Sequence, residues 1–108
     1  MYYIYMLRCE NNSIYTGITT DVKRRMEEHF SKDKKGAKYT KSHIPHKLEC
    51  VWEAPDKILA SKLEYRIKKL TKKQKEELII KKDLEKFFAE RLDTSKYTVF
   101  EKWLTKSI

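Results

Sequence analysis

An α+β fold, a small sheet flanked by helices, is predicted by three observations. Aromatic and β-branched runs of strand length stand near the start of the chain. Apolar residues then recur every three or four positions, as on helices. The two patterns alternate in the order β-β-α-β-α-α. The 108 residues amount to a single domain's worth of chain. With 38% charged, 40% hydrophobic and 12% aromatic side chains, the chain is polar but has enough large apolar groups to fill a core, which excludes a disordered tail.

Residues 2 to 8, Tyr-Tyr-Ile-Tyr-Met-Leu-Arg, show no polar alternation and read as a strand buried on both faces. The pair Asn11-Asn12 supplies a turn and Ile14 to Ile18 resumes strand character, so the two segments predict a hairpin that Gly17 ends. Asp21 is placed to cap a helix whose apolar stripe is Val22, Met26 and Phe30, with Arg25 and His29 on a neighbouring face. Residues 31 to 46 lack periodicity and carry Lys32, Lys34, Lys35, Lys38 and Lys41 around Gly36, the pattern of a basic loop.

A third strand is expected over Leu48 to Glu53. After Pro55-Asp56 comes a helix with Leu59, Leu63, Ile67 and Leu70 on its apolar stripe and Glu64 beside it. Thr71 is placed to cap a further helix through Ile79 and Ile80. Leu84, Phe87, Phe88 and Leu92, then Tyr97, Val99, Phe100, Trp103 and Leu104, predict a helical extension. The expected division is a domain over residues 1–80 and a helical C-terminal extension over 81–108.

A formal charge of +9, most of it in residues 1–79, points to an anionic partner, with nucleic acid the leading candidate. Cys9 and Cys50 lack CxxC spacing or a histidine partner, so neither a zinc site nor a disulfide framework is expected. His43 and His46 are separated by Pro45 and joined by no ligand cluster, which also argues against zinc. No apolar run reaches the roughly 18 residues of a membrane span, and strand character begins right after Met1, so no membrane association and a cytoplasmic location are expected.

Tyr3-Ile4-Tyr5, then Tyr15-Thr16-Gly17, then Asp21-Val22-Lys23-Arg24-Arg25 with His29, resemble the GIY-YIG nuclease superfamily, most closely its small stand-alone bacterial members. The likeness runs from Tyr2 to about Ile79 and includes Gly36-Ala37-Lys38-Tyr39-Thr40 and Glu64-Tyr65-Arg66-Ile67-Lys68. It implies a three-stranded, mostly antiparallel sheet flanked by helices. It also implies an endonuclease or nickase that hydrolyses phosphodiester bonds of DNA with one divalent metal ion, Mg²⁺ or Mn²⁺.

By that resemblance Tyr15 is the water-deprotonating base and Tyr5 positions the water or the phosphate. Arg25 neutralises charge on the transferring phosphoryl group, His29 is an accessory group, and Glu64 binds the metal. Each role has a physical basis. In-line attack needs a base, a cation for the phosphorane oxygens and a Lewis acid for the leaving oxygen. A phenol with a reference pKa of about 10 is roughly one part in a thousand ionised at pH 7, so it needs a nearby cation or an alkaline medium, and cutting is expected to rise with pH. A hard divalent ion accepts a single carboxylate and keeps its waters.

Lys23, Arg24, Lys34, Lys35, Lys38, Lys41 and Lys68, with Tyr39 as a stacking ring, are the expected nucleic-acid contacts. Ile18 stands where several better-known members carry lysine, and no asparagine occurs after Glu64. Two other readings therefore remain beside a low-specificity endonuclease of repair or recombination. One is a catalytically weak or inactive nucleic-acid-binding module. The other is an adaptor that docks a protein partner through Phe100 and Trp103 of the tail.

Overall fold

The computed structural model describes residues 1–31 and 43–102. Strands β1 (Tyr2–Cys9) and β2 (Ile14–Thr19) form the expected hairpin, followed by helix α1 (Val22–Phe30), β3 (Pro45–Ala54), α2 (Lys57–Lys68) and α3 (Lys72–Lys81). A short α4 (Leu84–Phe88), a 3-10 turn (Thr94–Lys96) and β4 (Thr98–Val99) follow. The caps fall where the sequence puts them. The side chains of Asp21, Asp56 and Thr71 accept from the backbone N–H of Arg24, Leu59 and Gln74, and Gln74 returns a bond to Thr71 as a capping box.

The strands make one antiparallel sheet in the order β2-β1-β3-β4. This corrects the three-stranded expectation, and the correction comes from the tail. Among the described residues of that segment the helical pieces after Lys81 are Leu84–Phe88 and short 3-10 turns, while Thr98 and Val99 pair with Glu53 and Trp52 of β3. The physical reason is the outer edge of β3, whose unpaired backbone groups need partners. Two β-branched residues and the Phe100 N–H, which donates to the Val51 carbonyl at 2.8 Å, supply them. The strand predicted from Leu48 begins earlier, at Pro45, where the missing N–H is tolerated because it is the first ladder position.

β1 is central and covered on both faces, so Ile4, Tyr5, Met6 and Leu7 are all buried. Its even-numbered side chains join Ile14, Cys50, Trp52 and Ala54 against α2, α3 and α4, where Ala60, Leu63, Ile67, Leu78, Leu84, Phe88 and Tyr97 close the larger core. The odd-numbered side chains face the other way, with Val51 and Leu48, beneath Val22 and Met26 of α1. At the end of β1, Arg8 binds Glu76 of α3 with both terminal nitrogens (2.5 and 2.6 Å) and Glu49 of β3 through Nε (2.8 Å). Hydrogen bonds from Arg8 hold the Glu76 carboxyl down to about 2. Arg8 also reaches Asn12 Oδ1 at 3.0 Å, and Asn12, at φ 71°, turns the hairpin. One guanidinium thus ties the hairpin to the helix layer.

Candidate active site

Pairing in the β1–β2 hairpin sets Tyr5 directly opposite Gly17 and Leu7 opposite Tyr15, all on the face that α1 covers. Thr16 points to the opposite face by strand alternation. The Tyr5 ring lies over Gly17 so closely that a methyl group there would sit 2.5 Å from the Tyr5 hydroxyl oxygen and 3.0 Å from the Tyr15 ring. Gly17 is therefore inside β2 and does not end it, contrary to expectation. Its lack of a side chain makes the space in which the phenol lies.

Helix α1 crosses above this pair. His29, four residues after Arg25, turns inward and is buried at 3% exposure, whereas Phe30, expected in the apolar stripe, is 45% exposed. The reversal has a polar cause: the Tyr5 hydroxyl and His29 Nε2 form a 2.8 Å hydrogen bond that satisfies both buried groups. The three rings pack as a triangle, with centroids 6.0 Å apart for Tyr5–Tyr15, 5.6 Å for Tyr5–His29 and 5.5 Å for Tyr15–His29. Burial, then the Arg25 charge, lowers the His29 pKa to about 4, so its imidazole is neutral at pH 7. Burial also raises the Tyr5 hydroxyl above the usual phenol range; the adjacent Arg25 opposes this and Tyr15 adds to it.

Arg25 completes the cluster at the edge of solvent. Its guanidinium lies beside Tyr5 and donates to Glu28 at 2.8 Å, with 23% of its side chain exposed. Arg24 and Lys23 are exposed on α1. Glu64 comes from α2, whose buried residues belong to the opposite layer of the sheet, and its carboxylate takes an ion pair from Lys68 at 3.2 Å. The contacts joining Tyr5, Tyr15, Arg25 and His29 thus do not extend to Glu64 among the described residues. Lys34, Lys35, Lys38, Tyr39 and Lys41 lie outside the described residues, as does Trp103. Phe100 packs on Tyr3 with ring centroids 4.7 Å apart, so an intramolecular contact occupies one of the two rings expected to dock a partner.

A family model described as the GIY-YIG catalytic domain matches residues 1–77. The chain belongs to the GIY-YIG family. Its relatives include UPF0213 protein FN1575 of Fusobacterium nucleatum, 54% identical over 82 residues that make up 76% of this chain and 80% of that protein. UPF0213 protein YhbQ of Salmonella typhimurium is 43% identical over 76% of this chain and 80% of its own length. A solution NMR structure of the UPF0213 protein BH0048 from Bacillus halodurans matches with 43% identity over 74% of this chain and 84% of that one, at a TM-score of 0.48. GIY-YIG proteins are endonucleases that act on nucleic acids, while the names of these relatives state no activity.

Within this GIY-YIG chain, Glu28 escapes a reading by motif. It accepts a hydrogen bond from one terminal nitrogen of the Arg25 guanidinium. Its only signal in the sequence is the three-residue spacing from Arg25. The role of Gly17 is open to inference, because a glycine within a strand pattern marks close approach of another group. Gly17→Ala is expected to lower stability by about 1–2 kcal/mol, because overpacking against a buried phenol, about 1–3 kcal/mol, outweighs the gain of about 0.5–1 kcal/mol normal for removing a strand glycine. Urea unfolding measures the sign, and a midpoint at or above that of the parent would refute the close packing. No group of three or more His, Cys, Asp or Glu side chains comes together as metal ligands among the described residues, and no helix among them is long and apolar enough to cross a membrane.

Proposed function

We propose that the chain is a metal-dependent endonuclease or nickase that hydrolyses phosphodiester bonds of DNA with little sequence specificity, in repair or recombination. Residues 1–80 form the nuclease domain and 81–108 its extension. The observation that carries this reading is the meeting of two phenols, a neutral imidazole and one guanidinium on a single face of the hairpin. Tyr5, deeply buried and kept protonated, is suited to orient water or a phosphate oxygen through its hydroxyl and not to remove a proton. That leaves the half-buried Tyr15 as the base. Arg25 offers a planar fork to two phosphoryl oxygens as charge builds on them.

His29 fixes the Tyr5 hydroxyl and, being neutral, adds no charge. Lys23, Arg24 and Lys68 supply backbone attraction. The donor set fits a hard divalent ion such as Mg²⁺ or Mn²⁺ that keeps most of its water, because Glu64 is a single partly exposed carboxylate. Such an ion, when bound, would supply Lewis acidity toward the leaving oxygen.

The ion pair of Glu64 with Lys68 favours a second reading, a module that holds nucleic acid without cutting it. Nicking of supercoiled plasmid separates the two. With Mg²⁺ the parent chain is expected to convert plasmid to the open circle. Excess EDTA should abolish this, and Glu64→Ala should slow it by about 100-fold or more while salt-sensitive DNA binding persists. Equal nicking by Glu64→Ala would remove the catalytic assignment, and binding without nicking by the parent would establish the second reading.

A further inference from the structure

Next to the tyrosine cluster, on the same sheet face, lies an apolar cleft of about 540 Å³, within the size range of small-ligand pockets. Its walls are aromatic and aliphatic: Tyr3 and Phe100, whose rings are tilted by 51° to each other, with Met26, Phe30 and Leu48. Lys23 and Lys102 also line it. Of its carboxylates, Asp21 is committed to the α1 N-terminus, and Glu27 offers an acceptor of the kind that meets an exocyclic amine of a base. Tyr3 and Tyr5 are two residues apart on β1, so the cleft and the cluster stand about 7 Å from each other along the strand. Helix α1 serves both, sending Arg25 and His29 to the phenols and Lys23, Met26 and Phe30 to the cleft.

We propose that this cleft takes one unpaired nucleobase of the strand being cut, adjacent to the scissile phosphate, and so directs the protein to single-stranded DNA. The inference rests on reading the tyrosine–arginine cluster as a nuclease site. Aromatic and aliphatic walls beside the lysines match a base with its phosphates. A base still paired in duplex cannot enter, because its faces are already stacked. Phe30 is the informative residue, since 45% exposure leaves the fold little dependent on its ring.

The test is fluorescence anisotropy in EDTA with the full chain and three labelled probes: a single-stranded DNA 12-mer of mixed sequence, the corresponding duplex, and a 12-mer with abasic residues. The parent is expected to bind the single strand tighter than either other probe. Phe30→Ala should lose about 5- to 20-fold in single-strand affinity and leave duplex affinity unchanged. Met26→Ala is a second variant that opens the same wall. Overturning results are equal affinity of the parent for intact and abasic strands, or Phe30→Ala and Met26→Ala variants that bind the single strand as the parent does. Either would leave the nuclease reading intact wherever Glu64-dependent nicking is seen. Absence of nicking and of binding to every probe would defeat both.

Discussion

Arg25→Ala is expected to slow plasmid nicking by about 100- to 1000-fold, the usual loss when a preorganised stabiliser of transition-state charge is removed. The charges that the cluster holds at neutral pH decide this. His29 is neutral because burial depresses its pKa to about 4, and Tyr5 is neutral because burial moves it the other way. Arg25 is thus a positive charge set beside Tyr5, and the neighbouring ring nitrogen is no substitute for it. Arg24→Ala provides the control: one residue earlier on the helix it is exposed, and its loss should weaken binding modestly without changing the chemical step.

Arg25→Lys should recover little, since an ammonium cannot present two parallel donors to a phosphate. Folding should survive, because the partner left behind, Glu28, is about a third exposed and can be solvated. Single-turnover cleavage with urea midpoints for each variant measures both halves. If Arg25→Ala nicks at the parental rate while Arg24→Ala does not, the roles of the two arginines are exchanged.

Local chemistry makes much of this molecule legible in its sequence. The hairpin arises from Asn11-Asn12 between two strand-forming runs, and three helix starts from Asp21, Asp56 and Thr71, each with a side-chain acceptor within three residues of the N–H it satisfies. Arg25 and His29 share a helix face by spacing alone. That the face turns toward Tyr5 and Tyr15 is signalled only by the resemblance of the two tyrosine triplets, since periodicity cannot bring together residues 24 positions apart.

The features that local pattern misplaces depend on distant partners. Phe30 fits an apolar stripe and is expected inside, yet its place there is taken by a histidine whose polarity Tyr5 satisfies. β4 is two residues long, too short for any pattern, and exists because β3 offers it an edge some 45 positions earlier in the chain. The cleft is assembled from β1, α1, β3 and the tail, so no single segment announces it.

The same non-local assembly makes truncation after Ile80 the other large effect. The family match ends at residue 77, which invites the view that the C-terminal residues beyond it are dispensable. The core contradicts it. Leu84, Phe88 and Tyr97 are at most 8% exposed and belong to the cluster that contains Trp52 and Leu63. The Tyr97 hydroxyl donates to the Leu59 carbonyl at 2.7 Å, and Phe100 covers Tyr3 while its N–H holds Val51. Removing three buried side chains at about 1.5–3 kcal/mol each, before any backbone bonds are counted, takes away an amount comparable with the whole stability of a small domain, about 5–15 kcal/mol.

The shortened chain is therefore expected to lose its cooperative melt near room temperature, or to melt at least about 20 °C below the parent, given a shift of about 4–8 °C per kcal/mol at this size. Thermal unfolding by circular dichroism is the measurement. A chain ending at Lys102 is the comparison, since it keeps every contact named above. A truncation at Ile80 that melts cooperatively at the parental temperature would show that the matched segment folds alone, and Trp52 would then have to be covered by something other than the tail.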